Sequence, residues 1–131
     1  MDEALHEARA RGDELKARLL ADLNWVDVPG AAEWLGCTVA KVEEYLQNGD
    51  LLGIEHDGRT LIPAVLMSDG EIVPRLGEVI RGMELESPWI RLMWLVVSCE
   101  RLGGRRPIDA LRTDPDDVIW AARGVGVQGG A

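Results

Sequence analysis

Apolar residues over positions 26–67 repeat first with a helical spacing and then with a strand spacing. One helical stripe, spaced i, i+3, i+4 and i+7, is made by Val28, Ala31, Ala32 and Leu35. A second stripe, which we expect to pack inward, is made by Val39, Val42, Tyr45 and Leu46. Two β-prone runs then flank Asp57-Gly58, a strong hairpin signal. The pattern predicts two short helices followed by a small antiparallel hairpin spanning about Leu52–Ile62.

Capping residues set the ends of both helices. Asp27 stands at the N-cap of the first helix, and Gly36 suits the left-handed conformation that ends a helix. Thr38 caps the second helix, and Gly49 ends it. These signals predict helices over residues 28–36 and 39–48. Helix, turn, helix and hairpin together form the layout of a winged helix-turn-helix.

The first 24 residues predict an amphipathic N-terminal helix with a heptad-like seam at Leu5, Ala8, Gly12, Leu15 and Leu19. One interpretation is a dimerising coiled coil, and the other is a helix laid across the domain. The second is favoured because Ala8 and Gly12 bury little surface and Gly12 weakens a helix.

Helical patterns continue after the hairpin. We expect a helical turn at Ala64–Met67 and a helix over Glu71–Met83, interrupted near its start by Pro74. Ser87-Pro88 then predicts the start of a helix over Trp89–Arg101. Its unbroken apolar run, Leu92–Val97, predicts burial on all sides, either as a core helix or at a subunit interface.

Two shorter helices and a tail complete the chain. Pro107 opens a helix over Ile108–Arg112, and Thr113 or Asp114 caps a last helix that Gly124 ends. The fold class is therefore mostly α with a small β-hairpin wing, a winged helix-turn-helix followed by C-terminal helices. The predicted division is an N-terminal helix, the winged helix-turn-helix, a C-terminal helical module and a disordered tail, over residues 1–24, 25–86, 87–123 and 124–131.

The run VPGAAEWLGCTVAKVEEYLQNGDLLGIEHDGRTLIP resembles the winged helix-turn-helix of the excisionase and MerR-like superfamily. With the downstream RPIDAL it is most similar to small actinobacterial winged-helix DNA-binding proteins, over roughly Val26 to Arg123. The resemblance implies that the second helix lies in the DNA major groove and that the wing contacts the backbone or minor groove. The candidate DNA-contacting residues are Thr38, Ala40, Lys41, Glu44, Gln47, Arg59 and Thr60. Lys41 suits guanine or phosphate, Gln47 suits adenine, and Glu44 suits the amino group of cytosine.

The charge distribution departs from that pattern. The net charge is −9, and residues 25–67 carry two basic and seven acidic side chains. Where the superfamily commonly places Arg or Lys, this chain has Val39, Ala40, Glu43 and Glu44. Phosphate contacts supply most non-specific affinity for DNA, and only Lys41 and Arg59 offer them here. Any larger cationic face must include the later arginines, Arg101, Arg105, Arg106 and Arg112.

The segment WLVVSCERLGGRRPIDAL followed by DPDDVIWAAR is similar to the toxin-binding domain of a family of bacterial antitoxins. That resemblance implies a protein partner, or a homodimer, that uses the helix Trp89–Arg101. Two functions therefore stay open. The first is a DNA-binding transcriptional regulator with double-stranded DNA as its partner. The second is a protein-interaction or antitoxin-like module that retains the winged-helix fold but binds a protein through its C-terminal helices.

Other classes of function lack the necessary residues. No nucleophile and histidine stand in motif spacing, and no phosphate-binding loop follows a strand, so we expect neither an enzyme nor a cofactor. Asp114, Asp116 and Asp117 suit a helix N-terminus better than a metal site. Cys37 and Cys99 lack disulfide or zinc spacing, and no run is long enough to span a membrane. We therefore expect a cytoplasmic protein, associated with the nucleoid if it binds DNA.

Overall fold

The chain is mostly helical with a small antiparallel wing, as predicted, and it has a second, two-stranded sheet that was not predicted. The computed structural model describes residues 13–84 and 87–125. Its helices are α1 (13–22 within the described part), α2 (Val28–Leu35), α3 (Val39–Asn48), α4 (Leu76–Gly82), α5 (Pro88–Val96), α6 (Pro107–Ala110) and α7 (Pro115–Arg123), with 3-10 turns at Ala64–Leu66 and Glu100–Leu102. Its strands are β1 (Trp25–Asp27), β2 (Ile54–His56), β3 (Arg59–Pro63), β4 (Met67–Ser68) and β5 (Glu71–Ile72).

The predicted caps of α2 and α3 are confirmed. The Asp27 carboxylate accepts the Gly30 backbone N–H at 2.7 Å, and the Thr38 hydroxyl accepts the Lys41 backbone N–H at 3.1 Å. Gly36 ends α2 with a φ of 66°. Each cap satisfies one of the backbone N–H groups that a helix start leaves without a partner.

The predicted hairpin is present, and it belongs to a larger sheet. Asp57 and Gly58 have φ values of 51° and 75°, the positive values that a tight two-residue hairpin turn requires. An additional strand, β1, pairs antiparallel with β3, and the strand order is β1-β3-β2. The wing is therefore joined along its inner strand to the residues that lead into α2.

The predicted helix over Glu71–Met83 is confirmed only over Leu76–Gly82, and its predicted start at Glu71 is wrong. A second Asp-Gly hairpin lies there, in which Asp69 and Gly70 have φ values of 54° and 77° and connect β4 to β5. The chain then turns at Pro74, and Arg75 adopts a left-handed φ of 67° directly before α4. Since Pro74 has no backbone N–H to donate, a helix running from Glu71 would lose a hydrogen bond there. The predicted helical turn at Ala64–Met67 is confirmed as the 3-10 turn Ala64–Leu66.

Helix α5 is shorter and less buried than predicted. It ends at Val96, because the following chain turns and the Cys99 N–H donates to the Arg105 carbonyl at 3.0 Å. Leu92 and Leu95 are fully buried on one face. Within the described chain Ile90 is 46% and Val97 51% exposed, so the core does not bury this helix on all sides, and the alternative of a subunit interface stays a prediction.

One cluster of buried side chains extends from α2 and α3 through α4 and α5 to α7. Helix α4 packs against α7, and α5 packs against α6. Leu19 and Leu23 pack against this cluster, and the Trp25 indole N–H donates to the Leu19 carbonyl at 3.3 Å. The division of the chain into four segments remains a prediction.

Two other predictions fall at the ends of the chain. The seam residues Leu5, Ala8 and Gly12, and the tail after Val125, lie outside the described residues. The choice between a coiled coil and a helix laid across the domain therefore stays open. Within the described residues, no helix is both long and apolar enough to cross a membrane.

Candidate nucleic-acid interface

Helix α3 has one anchored face and one exposed polar face. Val42 is fully buried, and Tyr45 and Leu46 are partly buried against the core. The opposite side exposes Ala40, Lys41, Glu44, Gln47 and Asn48. The predicted inward position of Val39 is wrong, because this first residue of α3 is 41% exposed.

Lys41 is held on this face by two neighbours. Its Nζ atom lies 3.5 Å from Glu44 Oε2, one helical turn away, and 5.1 Å from the centre of the Tyr45 ring. The ammonium group therefore sits between a carboxylate and an aromatic face that both attract it. The side chains of Lys41 and Glu44 remain 44% and 55% exposed, so both are open to a ligand.

The wing lies beside α3, and Gly53 sets how closely they pack. A Cβ atom at Gly53 would lie 2.9 Å from Thr60 Cγ2 and 3.1 Å from Leu46 Cδ2. Thr60 is consequently partly buried, with its methyl group toward this contact. Arg59, one residue closer to the turn, is exposed and has no carboxylate within 4.0 Å among the described residues.

The arginines of the C-terminal helices are largely engaged within the protein. Arg105 contacts the Asp114 carboxylate at 2.7 Å, and this hydrogen bond lowers the pKa of Asp114. Arg106 contacts Asp109, also at 2.7 Å, which lowers the pKa of Asp109 and raises the pKa of Arg106. Two of the four arginines expected to extend a cationic face are thus paired with carboxylates.

The other two have different neighbours. Arg112 donates to Ser68 Oγ at 3.1 Å, and Arg101 lies over the Trp120 ring at 5.7 Å. Trp120 itself is 66% exposed. Neither arginine has a carboxylate within 4.0 Å among the described residues.

Asp114 occupies the N-cap position of α7, as predicted, but its side chain does not cap the helix. Its carboxylate makes no hydrogen bond to the start of α7, because it binds Arg105 instead. Ser87 likewise makes no cap bond at the start of α5. Asp116 accepts a hydrogen bond from Arg75 at 2.8 Å. In the part of the chain that the structure describes, no group of three or more His, Cys, Asp or Glu residues is arranged to hold a metal ion.

Three ion pairs that the sequence pattern did not indicate connect α4 and the residue before it to their surroundings. Arg81 of α4 hydrogen-bonds to Asp50, two residues beyond the end of α3. Arg75 bonds both Glu78 and Asp116 at 2.8 Å and so connects the start of α4 to α7. Beside these pairs lies an open groove of about 540 Å³, whose lining includes Cys37 and Tyr45.

The comparisons with known proteins agree with this architecture. Residues 15–67 match the family model described as "DNA-binding protein Rv2175c, wHTH domain". The match begins in α1 and ends at the first residue of β4, so it includes α2, α3 and the whole wing. No curated protein matches the chain. The NMR structure of Rv2175c is similar in fold, with a TM-score of 0.64 and 28% sequence identity over 79% of this chain and 81% of that chain. In the helix-turn-helix, the wing and the overall fold, the chain is similar to Rv2175c.

Proposed function

We propose that this protein binds double-stranded DNA sequence-specifically, with α3 in the major groove and the β2–β3 wing against the backbone, and acts as a transcriptional regulator. The observation that carries the proposal is the exposed polar face of α3 beside an exposed wing. That face lies within the residues matched by the family model of a DNA-binding protein. An α-helix of this kind fits the width of the major groove.

The charges of this surface define what kind of binding to expect. Exposed Lys41 and Arg59 are its only cations among the described residues of α3 and the wing, and Glu43 and Glu44 repel phosphates. Since phosphate neutralisation supplies most non-specific affinity, random DNA is bound weakly. Base contacts from α3 therefore carry a larger share of the discrimination between sites.

A salt series with fluorescent DNA duplexes tests the proposal. Arg59→Ala should weaken binding to all duplexes alike and reduce the slope of log affinity against log salt by about one unit. Lys41→Ala should weaken the preferred duplex more than random DNA, by about 1–3 kcal/mol if it contacts a base. Arg123→Ala, which removes an exposed arginine of α7, is the matched control and should change neither quantity. Salt-independent binding, or equal effects of Arg59→Ala and Arg123→Ala, would contradict the proposal.

A second candidate function, protein binding through the C-terminal helices, is favoured by the apolar face of α5. Ile90 near the start of α5 and Val97 directly after its last residue are exposed, and exposed Leu15 of α1 lines a groove together with Val97. Sedimentation of the full chain across a range of concentrations, with and without Ile90→Glu, tests whether this face binds a second copy. An antitoxin-like role would require a different protein as the partner.

A further inference from the structure

The contact between Lys41 and Glu44 places hydrogen-bond donors and acceptors side by side on the exposed face of α3. The ammonium group offers only donors, and the ionised carboxylate offers only acceptors. Their charged atoms lie 3.5 Å apart. An exposed ion pair of this kind contributes little to stability. Both side chains can therefore give up their mutual contact and bind a ligand instead.

An acidic side chain at this position restricts which base edges in the major groove the helix can contact. Glu44 points from the middle of α3 into solvent, where a docked duplex would place base edges between two rows of phosphates. The carboxylate is repelled by the phosphates and by the acceptors of the bases. It is stabilised only by an amino group, which in the major groove means N4 of cytosine or N6 of adenine.

The lysine beside it distinguishes these two amino groups. In an A·T pair the amino group of adenine stands between two acceptors, N7 of adenine and O4 of thymine, so a carboxylate there meets acceptors on both sides. In a C·G pair the amino group of cytosine lies at one end of the row, and guanine O6 and N7 stand together at the other. A carboxylate next to an ammonium group matches the second arrangement, donor to acceptor and acceptor to donor.

We infer that Lys41 and Glu44 together recognise one C·G base pair, so that the preferred DNA site contains a C·G pair opposite the middle of α3. This inference rests on the proposed DNA-binding function. Glu44 accepts from cytosine N4, and Lys41 donates to guanine O6 or N7. Tyr45 supports the arrangement, because its ring lies 5.1 Å below the ammonium group and favours this position of Lys41.

Selection from a random duplex library with the full chain tests the inference. The wild-type protein should enrich a motif with a C·G pair, and Glu44→Gln should change that position to A·T because glutamine pairs with adenine N6 and N7. All other positions of the motif should stay as they are. Glu43→Gln is the matched control, since it removes the same charge from the neighbouring exposed position of α3. It should raise affinity for all duplexes without changing the motif.

Affinity measurements on the selected duplex complete the test. Replacing the C·G pair by T·A should weaken wild-type binding by about 5- to 150-fold, and Glu44→Ala should abolish most of that difference. A motif without a C·G pair, or one that Glu44→Gln leaves unchanged, would overturn the inference while leaving DNA binding in place. Absence of any enriched motif with the wild-type chain would overturn the proposed function and the inference with it.

Discussion

The winged helix-turn-helix and the C-terminal helices differ in the number of their basic side chains and in how many of these are paired within the protein. Residues 25–67 contain two basic and seven acidic side chains, whereas residues 87–131 contain six basic and five acidic ones. By count alone, the second region would present the cationic face. In the structure, however, Arg105 and Arg106 are paired with Asp114 and Asp109, while Arg59 in the acidic region has no carboxylate within 4.0 Å among the described residues.

The comparison shows that the number of basic side chains in a region does not tell how many of them can bind a partner. An arginine that donates to a carboxylate of its own chain stabilises the fold and has fewer donors free for a partner. The C-terminal helices therefore use much of their positive charge to hold turns and helices together. The winged helix-turn-helix has few cations, but Lys41 makes only a 3.5 Å contact with Glu44 and Arg59 has no carboxylate within 4.0 Å among the described residues.

The largest effect is expected from the core of the C-terminal region. Leu95→Ala removes a fully buried side chain of α5 and should lower the free energy of unfolding by about 2–5 kcal/mol, because a cavity remains. Val97→Ala is the control, since Val97 is half exposed. Urea unfolding followed by circular dichroism measures both variants, and equal stability of the two would show that α5 is not held by this face.

An intermediate effect on stability is expected from the aspartates that precede α2 and α7, Asp27 and Asp114. Asp27→Ala removes the hydrogen bond to Gly30 and should cost about 0.5–2 kcal/mol. Asp114→Ala occupies the equivalent position before α7 but removes no cap bond, so its cost should be smaller. Thermal unfolding of both variants at neutral pH compares them. A larger loss for Asp114→Ala would mean that its bond to Arg105 matters more for stability than a helix cap.

The smallest effect is expected from acidification. Arg106 lowers the pKa of Asp109, and Arg105 lowers the pKa of Asp114, both below the ordinary value of 3.8. A carboxyl group whose pKa is lower in the folded state stabilises the protein above its unfolded pKa and loses that contribution as the pH falls through the folded value. Because both partners are about half exposed, the Asp109 pair should contribute only about 0–1 kcal/mol.

Thermal unfolding between neutral pH and pH 3 measures this loss. Asp109→Asn should reduce the dependence of stability on pH below about pH 4. Asp117→Asn is the control, since this exposed aspartate has no basic group within 4.0 Å among the described residues. Identical pH profiles for the two variants would contradict a stabilising pair in the C-terminal region.

Local signals made much of the winged helix-turn-helix predictable. Asp27, Gly36, Thr38 and Gly49 act on backbone groups within a few residues, so the limits of α3 were predicted without error and those of α2 to within one residue. Asp57-Gly58 likewise determines its own turn. The same signal at Asp69-Gly70 was missed because the strands beside it have only two residues each.

The remaining features depend on contacts between distant parts of the chain. Strand β1 pairs with β3 across α2 and α3, and Arg75 meets Asp116 across 41 positions. Arg105 likewise meets Asp114 across nine positions, whereas Arg106 lies only three positions before Asp109, a spacing that the sequence does show. The burial of α5 was overestimated for a related reason. An apolar surface shows that a helix can be buried, but the number of neighbours decides how much of it is covered.

Asp27 belongs to two elements at once, and this has a consequence for local motion. It is the last residue of β1, opposite Leu61, and its carboxylate also caps α2. Opening the inner strand of the wing therefore breaks the start of the helix-turn-helix as well. We expect the amide protons of β3 and of the first turn of α2 to exchange with solvent in the same opening event, while those at Asp57-Gly58 exchange sooner. DNA bound to the wing should then slow amide-proton exchange in the first turn of α2, even where α2 makes no contact with the DNA.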